Sequence, residues 1–174
     1  MASIDVKEFE CILNSLERSY VHLEMRSSYG TDAERLFLGR DLDDTSWLEE
    51  WPEMVSWCDT LRRYRAEGKS CRRVHIIDEP LNDYWRWSHA VTKPLEDAGE
   101  ENRWLARPTA SGVELPPDDF YLFDDELVVY LRYTSAGENA DFLTSRADLD
   151  IETCRSAFEA AWNIATPHRV YRPA

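Results

Sequence analysis

Three acids, Asp78, Glu79 and Asp83, crowd one junction in the run Arg72-Arg73-Val74-His75-Ile76-Ile77-Asp78-Glu79-Pro80-Leu81-Asn82-Asp83-Tyr84. The apolar part of that run reads as a buried strand, and Pro80 stands where the first residue of a helix belongs. In α/β proteins, functional groups collect at the carboxyl ends of strands. Two chemistries suit these carboxylates. They hold a cation or a basic side chain, with Tyr84 beside them, or they cap the helix by meeting its exposed N–H groups and the positive end of its dipole. Capping by a carboxylate fills the anion site that a phosphate would need.

A second acidic group, Asp118, Asp119, Asp124 and Asp125, brackets the aromatic run Phe120 to Phe123. Paired carboxylates can bind a divalent ion or share acid–base duty. Neighbouring strand or turn residues rarely converge on one point, so Asp124 and Asp125 also read as turn formers. Arg72, Arg73, Arg86, Arg103, Arg107 and Arg132 stand out against this acidity. They form internal ion pairs, or a guanidinium pocket for a carboxylate or phosphate, with Arg107 in the loop after a strand as the first candidate. The candidate binding residues are therefore Asp78, Glu79, Asp83, Tyr84, Arg103, Arg107, Asp119 and Asp124, expected near one edge of a sheet.

The histidines, His22, His75, His89 and His168, show no metal-ligand spacing and no nucleophile motif. His75, flanked by apolar residues, reads as a core histidine with its bonds satisfied. His89, Lys93 and Asp97 are not an H-x-K-x4-D motif, in which the His and Lys leave one strand face two residues apart. No metal, no cofactor and no assignable catalytic residue follow. Trp85 and Trp87 diverge on a helix, so Trp87 is expected to be partly exposed and to anchor an interface.

The elements that position these groups follow from hydrophobic spacing. Val6, Phe9, Ile12, Leu13 and Leu16 predict a helix over 5–18. Alternation over 20–25 predicts a strand, ended by Ser27-Ser28-Tyr29-Gly30. A short helix is expected over 31–38. Another, capped by Asp44 or Thr45, carries Trp47, Trp51, Met54, Val55, Cys58 and Leu61, with Pro52 early and Gly68 at its end. A central strand over 74–77 leads through Pro80 to a helix reaching about Ala90. Pro94 and Gly99 mark a loop, Arg103 to Ala106 a short strand, and Pro108 to Pro117 a turn-rich loop. Phe120–Phe123 and Glu126–Tyr133, joined at Asp124-Asp125, read as a β-hairpin. A strand near 141–144 precedes a closing helix with Cys154, Ala157, Phe158, Ala161, Trp162 and Ala165 on one face, stopped by Pro167. The order implies an α/β (α+β) fold with one mixed sheet and helices on both faces. One globular domain is expected over 1–174, with an N-terminal helix, strand and linker over 1–45 and the main α/β core over 46–174.

Composition bounds the function. The 174 residues carry 34 acids against 20 basic residues, a net charge of −14. Such a surface repels nucleic-acid phosphates and anionic lipid, and favours a basic protein or cationic ligand. Seven tryptophans argue for a packed core. No apolar run is long enough to span a bilayer, and the N-terminus lacks signal-peptide character, so a cytoplasmic protein is expected. Cys11, Cys58, Cys71 and Cys154, each on an apolar position, read as reduced core residues.

Four segments carry a family resemblance. They are Leu23-Glu24-Met25-Arg26 with Tyr29; Gly68-Lys69 with Arg72 to Tyr84; Ala98-Gly99-Glu100 with Arg103-Trp104-Leu105 and Arg107; and Leu115-Pro116 with Asp119 to Asp125. Ala161-Trp162, Ala165, Pro167 and Tyr171 extend it. Over nearly its whole length the chain resembles an uncharacterised actinobacterial domain family, typically encoded beside or fused to helix-turn-helix regulators in Streptomyces-like bacteria. The layout is more distantly similar to a phospholipase D-like half domain without its catalytic motif. The resemblance implies a non-enzymatic regulatory or ligand-sensing accessory whose partner is a basic helix-turn-helix regulator, with a homo-oligomer also open. The alternatives are a small hydrolase or transferase with carboxylate acid/base groups and an Arg anion clamp, and a toxin–antitoxin or phage-defence component.

Overall fold

A computed structural model describes residues 1–30 and 50–173. The element order is β1 (Ala2–Ile4), α1 (Val6–Asn14), β2 (Ser19–Glu24), α2 (Pro52–Ala66), β3 (Ser70–Ile77), α3 (Asp83–Ala98), β4 (Glu100–Ala106), a 3-10 turn (Thr109–Gly112), β5 (Asp119–Phe123), β6 (Leu127–Tyr133), β7 (Asn139–Ser145), α4 (Asp148–Ile164) and β8 (Thr166–Pro167). All eight strands form one mixed sheet in the order β1-β7-β6-β5-β2-β3-β4-β8. β2, β3 and β4 run parallel, and every other neighbouring pair is antiparallel. The chain is thus an α/β protein. The predicted helix over 31–38, the Asp44 or Thr45 cap, Trp47 and the boundary near residue 45 lie outside the described residues.

Local chemistry accounts for the helix ends. Asp5 and Glu8 form a reciprocal capping box at α1, each side chain accepting the other's backbone N–H at 2.9 Å. Pro52 occupies the first turn of α2, where a missing N–H costs little. Gly68 (φ +76°) and Gly99 (φ +124°) lie beyond the ends of α2 and α3 in a region that L side chains disfavour.

The junction after β3 corrects the sequence reading. The Glu79–Pro80 peptide is cis and α3 starts later, at Asp83. Asn82 is the cap, accepting the Trp85 N–H at 2.9 Å, so neither Asp78 nor Glu79 caps the helix. Pro94 also does not end α3, which continues to Ala98. Burial of Val91, Leu95 and Ala98 offsets the single backbone bond that proline removes.

β2 stands in the middle of the sheet, so the N-terminal segment belongs to the core. α1, α2 and α3 cover one face, and α4 covers the other through Cys154, Phe158, Ala161 and Trp162. Cys58, Cys71 and Cys154 are buried free thiols, but Cys11 is exposed on α1. The expected hairpin forms, and its turn residues Asp124 and Asp125 both take positive φ (54° and 60°), as a tight hairpin turn requires. Among the described residues no helix is long and apolar enough to cross a membrane.

Candidate functional site

On the three-helix face, the central strands present a grid of polar side chains. The parallel register sets Tyr20 beside Cys71 and Glu100, His22 beside Arg73 and Asn102, and Glu24 beside His75 and Trp104. Alternation along each strand puts these residues on one side of the sheet. Tyr121 of β5 faces His22, and the two rings stack at 3.7 Å between centroids.

Every charge in the grid has partners. Glu24 accepts from Arg73 Nη1 (2.9 Å) through one oxygen and faces His75 Nδ1 (2.6 Å) through the other. His22 Nε2 approaches the same carboxylate at 3.2 Å. Glu100 Oε1 receives Arg73 Nη2 at 3.0 Å and the Tyr20 hydroxyl. His75 Nε2 meets Asn102 Oδ1 at 3.0 Å, while the Asn102 amide donates back to Glu100. His22, Glu24, His75, Glu100 and Asn102 are all buried. Both ring nitrogens of His75 are thus engaged, Nδ1 with Glu24 and Nε2 with Asn102. Arg73 lies between the two buried carboxylates, Glu24 and Glu100, and donates to both.

The electrostatics follow from this pairing. Burial works against ionising Glu24, yet Arg73, His75 and His22 hold its carboxyl well below the usual range. Burial likewise opposes the Arg73 charge, but Glu100, Tyr121 and Glu24 keep it firmly protonated. Burial pushes His22 down, against the pull of Glu24.

Next to this grid, at the carboxyl end of β2, lies a different carboxyl. Asp119 accepts the Met25 N–H at 2.8 Å and the Tyr29 hydroxyl at 2.5 Å. Burial, with the Glu24 charge adding to it, pushes its pKa up to about 7 despite those two donors. A carboxyl that titrates near neutrality can exchange a proton with a bound group.

The sequence-predicted residues divide by location. Asp78, Glu79, Tyr84, Arg107 and Asp119 do gather at the carboxyl ends of the central strands. Arg107 binds Asp78 Oδ1 at 2.8 Å and donates to the backbone oxygens of Met25 (2.8 Å) and Ile76 (3.3 Å), clasping β2, β3 and β4 together. Glu79 accepts the Tyr171 hydroxyl at 2.7 Å. Tyr84 is buried against Tyr29, with centroids 5.2 Å apart. Asp83 is exposed on the first turn of α3, 3.5 Å from Arg86.

Two residues expected there lie elsewhere. Arg103 points to the opposite face, with its guanidinium 4.1 Å from the Trp162 ring centre and donating to the Trp162 carbonyl. Asp124 lies at the other end of the sheet, where its carboxylate accepts the N–H groups of Glu17, Arg18 and Ser19 at 2.6–3.1 Å. The interface reading of Trp87 is also corrected. The side chain is buried, because Tyr84 and Trp51 pack on it from neighbouring positions.

Sequence reasoning passed over His22, Glu24, Arg73, Glu100 and Asn102 as a set. The available signal was the polar alternation Tyr20-His22-Glu24 in a strand that the fold covers on both faces. His75, read as a satisfied core histidine, does have both nitrogens engaged. Among the described residues no three His, Cys, Asp or Glu side chains are placed to hold a metal ion.

The chain belongs to a family defined as a domain of unknown function (DUF6879), whose model matches residues 7–173. No curated protein matches it.

Proposed function

We propose that this domain is a non-enzymatic regulatory accessory, cytoplasmic, that works by contact with a basic protein partner. One observation carries this reading. The acids, arginine and histidines best suited to catalysis are turned inward and consumed by one another, as the bonds of Glu24, Arg73, His75 and Glu100 illustrate. A closed, mutually bonded cluster supports a rigid scaffold rather than turnover. What the domain offers outward is its excess of 14 negative charges, a field that steers a basic surface toward it. The partner class implied by the resemblance is a helix-turn-helix regulator, whose DNA-binding surface is basic. The direct experiment is interferometry with the regulator encoded beside the gene. Binding that weakens steeply with salt supports the proposal, and no binding at low salt refutes it.

One observation favours a second reading, a small hydrolase or transferase. Asp119, with a pKa of about 7 beside Tyr29, has the proton affinity of an acid–base group. Substrate turnover abolished by Asp119→Asn would replace the first reading with this one.

A further inference from the structure

Opposite the Asp78–Arg107 end, at the amino ends of β3 and β4, lies a cleft of about 440 Å³. Its floor includes Cys71, Glu100 and Asn102, the outer margin of the buried grid. Three guanidinium residues line it, Arg65 from the end of α2, Arg103 from β4 and Arg169 after β8. In a chain with 14 surplus acids, cations are expected to find carboxylates. Most here do, as Arg72 with Glu159, Arg132 with Asp118 and Arg155 with Asp125 show. Among the described residues Arg65, Arg103 and Arg169 have no carboxylate within ion-pair distance, and all three face this one cleft.

The backbone favours the arrangement. A Cβ at Gly99 would stand 3.0 Å from the Arg65 Cβ, so glycine there leaves room for the Arg65 stem to cross α3's end. Arg103 lies over the Trp162 ring and is held by that residue's carbonyl, so its fork is preorganised. Two rim acids set a limit. Glu96, which accepts the Asn102 N–H at 3.3 Å, and the exposed Glu101 oppose a highly charged guest. They favour one anionic group over a polyphosphate.

We propose that this cleft binds a small ligand through one carboxylate or phosphate group, held by Arg65, Arg103 and Arg169. The cleft has the volume of a small-molecule site, and planar guanidinium forks match both anions. The proposal stands apart from the protein-contact reading, and either can fail alone.

The test is a pair of NMR titrations at constant ionic strength, one with succinate and one with inorganic phosphate, against a chloride background. A saturable shift of the Arg103 and Trp162 resonances with either probe is expected, and the probe that saturates identifies the anion class. Arg65→Ala with Arg169→Ala removes two exposed side chains and should weaken that binding at least about tenfold. Arg62→Ala, exposed and outside the cleft, should leave it unchanged. No saturable shift with either probe overturns the proposal, as does an equal loss in the Arg62 variant.

Discussion

The two faces of the central sheet are built from the same strands and are both packed under apolar helices, yet the side chains at their centres differ in kind. Under α4, Val21, Leu23, Val74, Ile76, Leu105 and Phe120 make an apolar layer against Phe158 and Ala161. Under α1, α2 and α3, the intervening residues make a charged and hydrogen-bonded layer around Arg73. The first face gains stability by removing area from water and tolerates a smaller side chain in proportion to the cavity left. The second depends on its charged members, because losing Arg73 strands two buried carboxylates.

The largest effect should come from Arg73→Met, which leaves Glu24 and Glu100 without their shared cation. A loss of about 5 kcal/mol is expected by urea unfolding. On the other face, Phe158→Ala should cost about 3–4 kcal/mol by the same measurement, without altering how stability depends on pH. A loss for Arg73→Met well below that for Phe158→Ala would erase the contrast between the faces.

Asp119 sharpens the comparison through pH. Its folded pKa of about 7 lies above the ordinary aspartate value of 3.8. Below that ordinary value both states hold the proton, so burial costs nothing extra. As pH rises toward 7 the unfolded chain releases the proton first, and stability falls across the window. Asp119→Asn, which does not titrate, should therefore be about 2 kcal/mol more stable than the parent above pH 7, with no such gain near pH 4. Equal gains at both pH values would show that ionisation is not the cause. The smallest effect belongs to the exposed ion pair at the strand ends. Asp78→Ala should change stability by less than about 1 kcal/mol, since Arg107 keeps its two carbonyl partners.

Much of the framework was legible in the sequence because it rests on local signals. The apolar run at Val74–Ile77 marked a central strand, the Asp-Asp turn marked the hairpin, and the Cys154–Ala165 stripe marked the last helix. The charged layer was not legible, since its pairings link β2, β3 and β4 across 27 to 80 residues. Alternation over 20–25 does not reveal that the His22 and Glu24 face is covered, because the helices that cover it come from elsewhere in the chain. Pro80 misled because a proline in a turn and a proline in a first helical turn share the same preceding acids. Trp87 misled because divergence from Trp85 implies exposure only when a single partner surface exists.

The claim that the charged layer acts as one structural unit is tested most directly by a double-mutant cycle between Arg73→Met and Glu24→Gln, read by equilibrium unfolding at neutral pH. The two changes should be strongly non-additive, with a coupling energy of about 2–3 kcal/mol. Simple addition of the two losses would mean that Arg73 and Glu24 act separately, and would contradict the account.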